Sequence, residues 1–257
     1  MRAAHSRRRI HFIYLHHVFE DEEDGFRRVL EELSRSHSFV SYSDAVARLR
    51  TGRIDAPYVS LSFDDGLKNC VRAAEIMGEF GALGCFFVCP PMAEATPDEV
   101  SAFCAAKLHM PPTAMMSWDD MERLRAQGHE IGSHTLNHAN LAQTHGDALA
   151  EEVGRSRELI EGRLGEARHF AWPFGRFAEM SEEARRVVFG AGYESCASAQ
   201  RGCHVAPAPD DPSALCLRRD HVVAAWPVSH VLYFMARSAE RAGEADNAWP
   251  GSFDSCG

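Results

Sequence analysis

Apolar and polar positions along this chain keep switching between two rhythms, and the switching predicts strands alternating with helices. Ile10 to Leu15 is an apolar run of strand length, and Phe26 to Leu33 carries apolar residues at 26, 29, 30 and 33, the spacing of one helix face. Phe39 and Val40 predict a short strand, Asp44 to Leu49 a helix, and Tyr58 to Phe63 a β-rich run that stops at Asp64-Asp65-Gly66. Asn69 to Phe80 reads as a helix closed by Gly81, and Cys85 to Val88 as a strand stopped by Pro90-Pro91. Residues 91–113 are proline-rich and without clear period, which predicts a loop insertion, with a helix over Asp98 to Leu108 as the alternative.

The same alternation continues downstream. Ser117 is an N-cap residue for a helix over Trp118 to Gln127, Gly128 ends it, and His129-Glu130-Ile131 opens a strand. Ala148 to Leu164 predicts a long helix, Phe170 to Trp172 a strand, Glu182 to Phe189 a helix and Ser195 to Ala199 another strand. Repeated strand-then-helix units imply a mostly parallel sheet or barrel, with function at the C-terminal strand ends. After Arg237 the chain becomes Gly- and Ala-rich and reads as a frayed tail. A length of 257 residues suits one core, so a single domain is expected over residues 1–240, with 241–257 as a flexible C-terminal tail.

Composition mainly excludes. With 45% hydrophobic and 25% charged residues the chain is an ordinary globular sequence, neither disordered nor fibrous. A formal net charge of −10 argues against binding nucleic acid, whose phosphates recruit clustered Lys and Arg. Arg7 to Arg9 precede an apolar run too short and too polar for a signal peptide, and no run approaches a membrane span, so the expected location is cytoplasmic. The eight cysteines form no CxxC pair and read as reduced core thiols, with Cys85 and Cys89 as small apolar fillers.

Three motifs carry the candidate chemistry. Asp64 and Asp65 are adjacent at a strand end, so their side chains diverge, and one can hold a metal while the other faces a water; taken alone, Asp-Asp-Gly also fits a plain turn. His134 and His138, four residues apart, would share one face of a helical turn and chelate one ion, although such pairs also occur as unrelated surface histidines. A carboxylate with two imidazoles leaves coordination positions open, as a catalytic metal site does. Phe170 to Gly175 is a strand running into a Pro-aromatic-Gly turn whose backbone N–H groups would face an oxyanion, or else simply pack.

In this order, Ser62-Phe63-Asp64-Asp65-Gly66, His134 with His138, and Pro173-Phe174-Gly175 resemble the polysaccharide deacetylase family, the NodB-homology domain of carbohydrate esterase family four. Ser117-Trp118-Asp119, the stretch Gly128 to His134 and Gly190-Ala191-Gly192-Tyr193 add to the resemblance, which runs from about residue 10 to 225. It implies a distorted parallel (β/α) barrel, Asp64 as catalytic base, Asp65, His134 and His138 as ligands of a divalent metal, most readily Zn with Co, Ni or Fe as alternatives, and Phe174 as an oxyanion-hole residue. His16, near the end of the first strand, and His221 match positions of pocket and general-acid histidines, and each also reads as an ordinary histidine of its segment. Ala171 departs from the family, in which many members place there an arginine that orients the base; Arg168, three residues upstream, is the candidate substitute. Ala139 replaces a common proline and touches no ligand. Trp172, Phe174 and Trp226 are candidates for stacking on a sugar, or for packing.

The implied reaction is removal of an N-acetyl or other acyl group from an amino sugar or glycan, by water bound to the metal and activated by Asp64. No G-x-S-x-G elbow supports a serine route. A lipid-linked or nucleotide-linked sugar or a small glycoside is the favoured substrate. Hydrolysis of a cyclic amide or ureide on the same fold, or a sugar-binding relative without turnover, are the alternatives.

Overall fold

The computed structural model describes residues 8–208 and 215–242. Its strands are β1 (Arg9–Leu15), β2 (Ser38–Phe39), β3 (Pro57–Phe63), β4 (Gly84–Val88), β5 (Glu130–Ser133), β6 (His169–Ala171), β7 (Ser195–Ala197), β8 (Cys216–Leu217) and β9 (Asp220–His221). Every strand pairing is parallel, in the order β8-β7-β6-β5-β4-β3-β1-β9, with β2 beside β3. The helices between them are α1 (Glu23–Ser34), α2 (Tyr42–Thr51), α3 (Asn69–Gly78), α4 (Pro97–Phe103), α5 (Trp118–Ala126), α6 (Gly146–Ala150), α7 (Ser156–Leu164), α8 (Glu182–Gly190) and α9 (Val228–Arg241). A wider turn over Glu151–Arg155 joins α6 to α7, so the long helix expected there runs through with one irregular turn.

The two outer strands, β8 and β9, are successive pieces of one extended segment separated only by Arg218 and Arg219. Its first piece pairs with β7, Cys196 opposite Cys216, and its second with β1, Tyr14 opposite His221. Two residues reach only about 7 Å, so the edges of the sheet must curl until they meet at this seam. The result is the distorted parallel (β/α) barrel expected from the sequence.

Apart from the two-residue β2, the strands are largely buried on both faces, which explains why the longer ones read as apolar runs. One core cluster holds the helices against the sheet, with Phe26, Leu30, Ile76, Met77, Phe86 and Phe170 among its members. A second joins Ile10, Phe12, Cys85, Phe87, Ala171 and Leu217 to Tyr42, Ala45, Val46 and Leu49 of α2. The cysteines at 70, 85, 89, 104, 196, 203 and 216 are buried and unbridged.

Over residues 98–108 the structure takes the helical alternative: Thr96 caps α4, which continues into a wider turn over Cys104–Leu108. One expectation needs correction. Beyond Arg237 the chain is not frayed but helical to Arg241, because Ser238 is buried and bonds the Asp220 carboxylate at 2.6 Å. The remainder of the expected tail, 243–257, lies outside the described residues.

Candidate metal and active site

Parallel strands end at one edge, and here the register makes them end level. Leu15 is opposite Phe63, so the chain leaves β1 at His16 and β3 at Asp64 side by side, and the Asp64 N–H extends the ladder by bonding Leu15 O at 2.9 Å. Val88 is opposite Ser133, and the His134 N–H bonds Val88 O at 2.8 Å. The turns after these strands are tight. Asp65, Thr135, His138 and Phe174 all have φ between 54° and 72°, in the left-handed region that non-glycine residues avoid. Such conformations persist where surrounding structure imposes them, commonly at functional sites.

His134 and His138 do not sit on a helical turn, as their spacing suggested. His134 continues β5, and the loop beyond it doubles back, with its Leu136 N–H on Glu152 O at 3.0 Å and the Asn137 N–H on the Glu152 carboxylate at 2.8 Å. Both Nε2 atoms thereby reach Asp65 Oδ1, His134 at 3.4 Å and His138 at 3.3 Å. One ligand atom from each of the three residues lies within 4.8 Å of the others, and all three residues are buried. Neither contact closes as a hydrogen bond, so Asp65 Oδ1 is buried without a hydrogen-bond partner. Burial alone would raise the Asp65 pKa, but the two imidazoles hold the carboxyl below its ordinary range. His134 Nδ1 bonds Ala171 O at 2.8 Å, which fixes the ring with Nε2 facing the cluster. A buried, unsatisfied carboxylate oxygen facing two imidazole nitrogens is a donor set that fits a divalent cation.

Asp64 points away from this cluster, onto Arg219. The guanidinium donates from one terminal nitrogen to Asp64 Oδ1 at 2.8 Å and from the other to Oδ2 at 2.7 Å, a bidentate pair with both side chains buried. Its Nε bonds Ser198 O at 2.6 Å and its Cζ lies over the Tyr14 ring, 4.3 Å from the centre. Burial works most strongly against ionisation of Asp64, but the charge and hydrogen bonds of Arg219, together with the nearby His134 and His16, outweigh it and keep the carboxyl below its ordinary pKa.

Arg168, the residue expected to replace the missing motif arginine, does not approach Asp64. It precedes β6, at the opposite end of that strand from the site, and is 43% exposed in a pair with Glu194 at 2.7 Å. Arg219 was overlooked because nothing local marks it: it is 155 residues from Asp64, and one of two successive arginines. A short β-like segment, Ala214 to Leu217, running into arginines was the available signal.

A cavity of about 370 Å³ opens over these groups, lined among others by Asp64, Asp65, His134, His138, His16 and His221. His16 and His221 stand edge to face with ring centres 5.2 Å apart. The His221 pKa is pushed down to about 4, first by burial and then by the charges of His16 and Arg201, so its ring is neutral at pH 7. Phe174 is 43% exposed at the rim, its ring 5.0 Å from that of His138. Behind it, a Cβ on Gly175 would fall 2.5 Å from the Ala199 backbone nitrogen, so only glycine permits this turn. Pro173 and Trp172 are buried, and the Trp172 indole N–H bonds Arg176 O at 2.9 Å, so Trp172 packs rather than offering a face to a sugar. Trp226 is half-buried and backs His221, at 5.9 Å between ring centres.

A parallel α/β barrel with an acidic and two imidazole ligands converging at the strand C-termini defines a candidate metal site of the hydrolase kind. The sequence model of the polysaccharide deacetylase family matches residues 51–195, more than half of the chain, and the chain belongs to that family. It is 29% identical over 124 residues to a chitooligosaccharide deacetylase of Azorhizobium caulinodans, covering 47% of this chain and 49% of that protein, so the chain spans about half the length of this relative. Among solved structures, a Streptococcus pyogenes deacetylase, PplD, in complex with acetate superposes with a TM-score of 0.70 at 19% identity, covering 88% of this chain and 98% of that one. A de-N-acetylase from Aggregatibacter actinomycetemcomitans gives 0.69 at 16% identity, covering 88% and 100%. At such identities the likeness is one of fold.

Proposed function

We propose that this protein hydrolyses the acyl amide of an acetylated amino sugar or glycan, with Asp65, His134 and His138 holding a divalent cation. The observation that carries the reading is the convergence of those three ligand atoms within 4.8 Å, beside a second aspartate gripped by a buried arginine. When bound, such a cation supplies Lewis acidity toward an acyl oxygen and lowers the pKa of water. Zinc suits the donors best, with cobalt, nickel and iron as alternatives.

Asp64 is the base. Arg219 orients its carboxylate and keeps it ionised, so it accepts the proton of the water that attacks the acyl carbon. The Phe174 backbone N–H, presented by its left-handed turn, is the donor proposed for the developing oxyanion. The departing nitrogen needs a proton. His221, neutral in the free protein, relays it rather than storing it: the proton that Asp64 takes from the attacking water is handed on through the His221 ring to the amine, with His16 beside it, and Asp64 returns to its ionised form. The alternative of a sugar-binding relative without turnover drew on the missing arginine at Ala171, and the Arg219–Asp64 pair removes that reason.

Acetate release from a panel of acetylated sugars, with metal analysis of the same samples, tests the proposal. Asp65→Ala and His138→Ala are expected to lose metal and activity together, whereas Asp64→Asn keeps metal and loses turnover by at least about a hundredfold. Full activity in Asp64→Asn would overturn the base assignment, and turnover of cyclic amides alone would favour that second class of hydrolase.

A further inference from the structure

Resting on that reading, we infer that the substrate is an anionic acylated sugar, carrying a phosphate or carboxylate group close to its acylamino group, and that Lys107 recognises the charge. Lys107 lines the active-site cavity from the insertion after β4. It is exposed, and among the described residues no ion pair reaches it. The sequence has only one other lysine, Lys68, which is paired with the buried carboxylate of Asp120 at 3.1 Å. The remaining charges at the cavity are spoken for: Arg219 is neutralised by Asp64, and Asp65 faces the two imidazoles and the cation they fit. Lys107 is therefore a cationic side chain with no ion pair among the described residues, lining a cavity in a chain whose formal net charge is −10, where it adds to the positive charge that the proposed cation would supply.

The seat of this lysine is fixed. Phe103, four residues earlier in the same helical stretch, sets its ring 6.2 Å from that of the candidate ligand His138, so Lys107 rises on the side of the metal cluster. The Met110 N–H closes back on Cys104 O at 3.2 Å, and His109 ends the turn at φ 53°. This geometry seats residue 107 on the metal side of the cavity lining, from which its long side chain can reach a ligand.

The test compares N-acetylglucosamine 6-phosphate, N-acetylmuramic acid and neutral N,N′-diacetylchitobiose as substrates of the metal-loaded wild-type, Lys107→Glu and Lys107→Arg proteins, at low and at high salt. Binding of the same sugars to the Asp64→Asn protein, with and without Lys107→Glu, is measured by calorimetry. One anionic sugar is expected to be favoured over the neutral one, the phosphate or carboxylate source being whichever shows it. Lys107→Glu should cut the anionic-to-neutral ratio of kcat/KM roughly tenfold, Lys107→Arg should keep it, and salt should shrink it. Hydrolysis of all three sugars with the same ratio in wild type and Lys107→Glu overturns the inference while leaving the proposed function intact. No hydrolysis, but charge-selective binding lost in Lys107→Glu, overturns the proposed function and leaves this inference standing.

Discussion

The cavity has two walls of different origin. One carries Asp65, His134, His138 and Phe174, from the ends of β3, β5 and β6, and the family match over residues 51–195 contains all four. The other carries Tyr14, His16, Arg219 and His221, from the end of β1 and the seam segment that closes the barrel, and all four lie outside that match. The first wall is built by local turns, each forcing one or two non-glycine residues into the left-handed region. The second is built by closure: Arg219 reaches Asp64 only because the last extended segment crosses from β7 to β1. The residues proposed to hold a cation thus lie in short motifs, whereas the contact proposed to orient the base depends on how the whole sheet curls.

The sharpest way to break this contrast is Arg219→Ala. Removing one partner of a buried ion pair leaves Asp64 uncompensated, and such losses cost about 3–5 kcal/mol. A fall in melting temperature and a drop in kcat of at least about a hundredfold are expected, with metal content unchanged because the other wall is intact. Arg219→Lys should fall between, since an ammonium keeps the charge but not the two parallel hydrogen bonds. Wild-type kcat in Arg219→Ala would show that the seam does not serve the base.

The same contrast explains what was legible in the sequence. Strand and helix periodicity gave a mostly parallel sheet or barrel, because both-side burial leaves apolar runs and amphipathic helices expose their spacing, and the family resemblance chose the distorted barrel. Asp64, Asp65, His134 and His138 stood out because their spacing is short. The geometry of the histidines did not follow: four-residue spacing suggested a helical turn, and the left-handed φ of Thr135 and His138 built a loop instead. Strands β8 and β9, two residues each, are too short for any period to show, and so the arginine between them was passed over for Arg168, which lies nearer the motif in sequence and at the wrong end of β6 in space.

Acid should act on the seam. His204, hydrogen-bonded at its Nε2 to the Arg218 backbone N–H and edge-on to Phe12, has its pKa pushed down to about 3, chiefly by burial. His221 is pushed down to about 4. Both are neutral when folded, while the unfolded chain takes up a proton below the ordinary histidine value of 6.5. Their contribution to stability is therefore complete above that pH and is lost as the pH falls toward 4 and then 3, on the order of 1 kcal/mol per pH unit for the fully buried His204. Melting temperatures measured from pH 8 down to pH 4 should decline, and His204→Gln should flatten the decline. An unchanged slope in that variant would remove His204 from the account.

The smallest effect is expected where the sequence pointed and the structure did not. Arg168 and Glu194 form a pair 43% and 33% exposed, and exposed pairs contribute about 0–1 kcal/mol, reduced further by salt. Arg168→Ala should leave kcat and KM within about twofold of wild type and shift the melting temperature by only a few degrees, in contrast to Arg219→Ala. The two variants form a matched test, because both remove a guanidinium from a carboxylate and differ in burial and in which end of the strands they occupy. If Arg168→Ala lowered kcat as far as Arg219→Ala, the base would be sensitive to charge at both ends of the barrel, and the separation of the two walls would no longer describe how the site works.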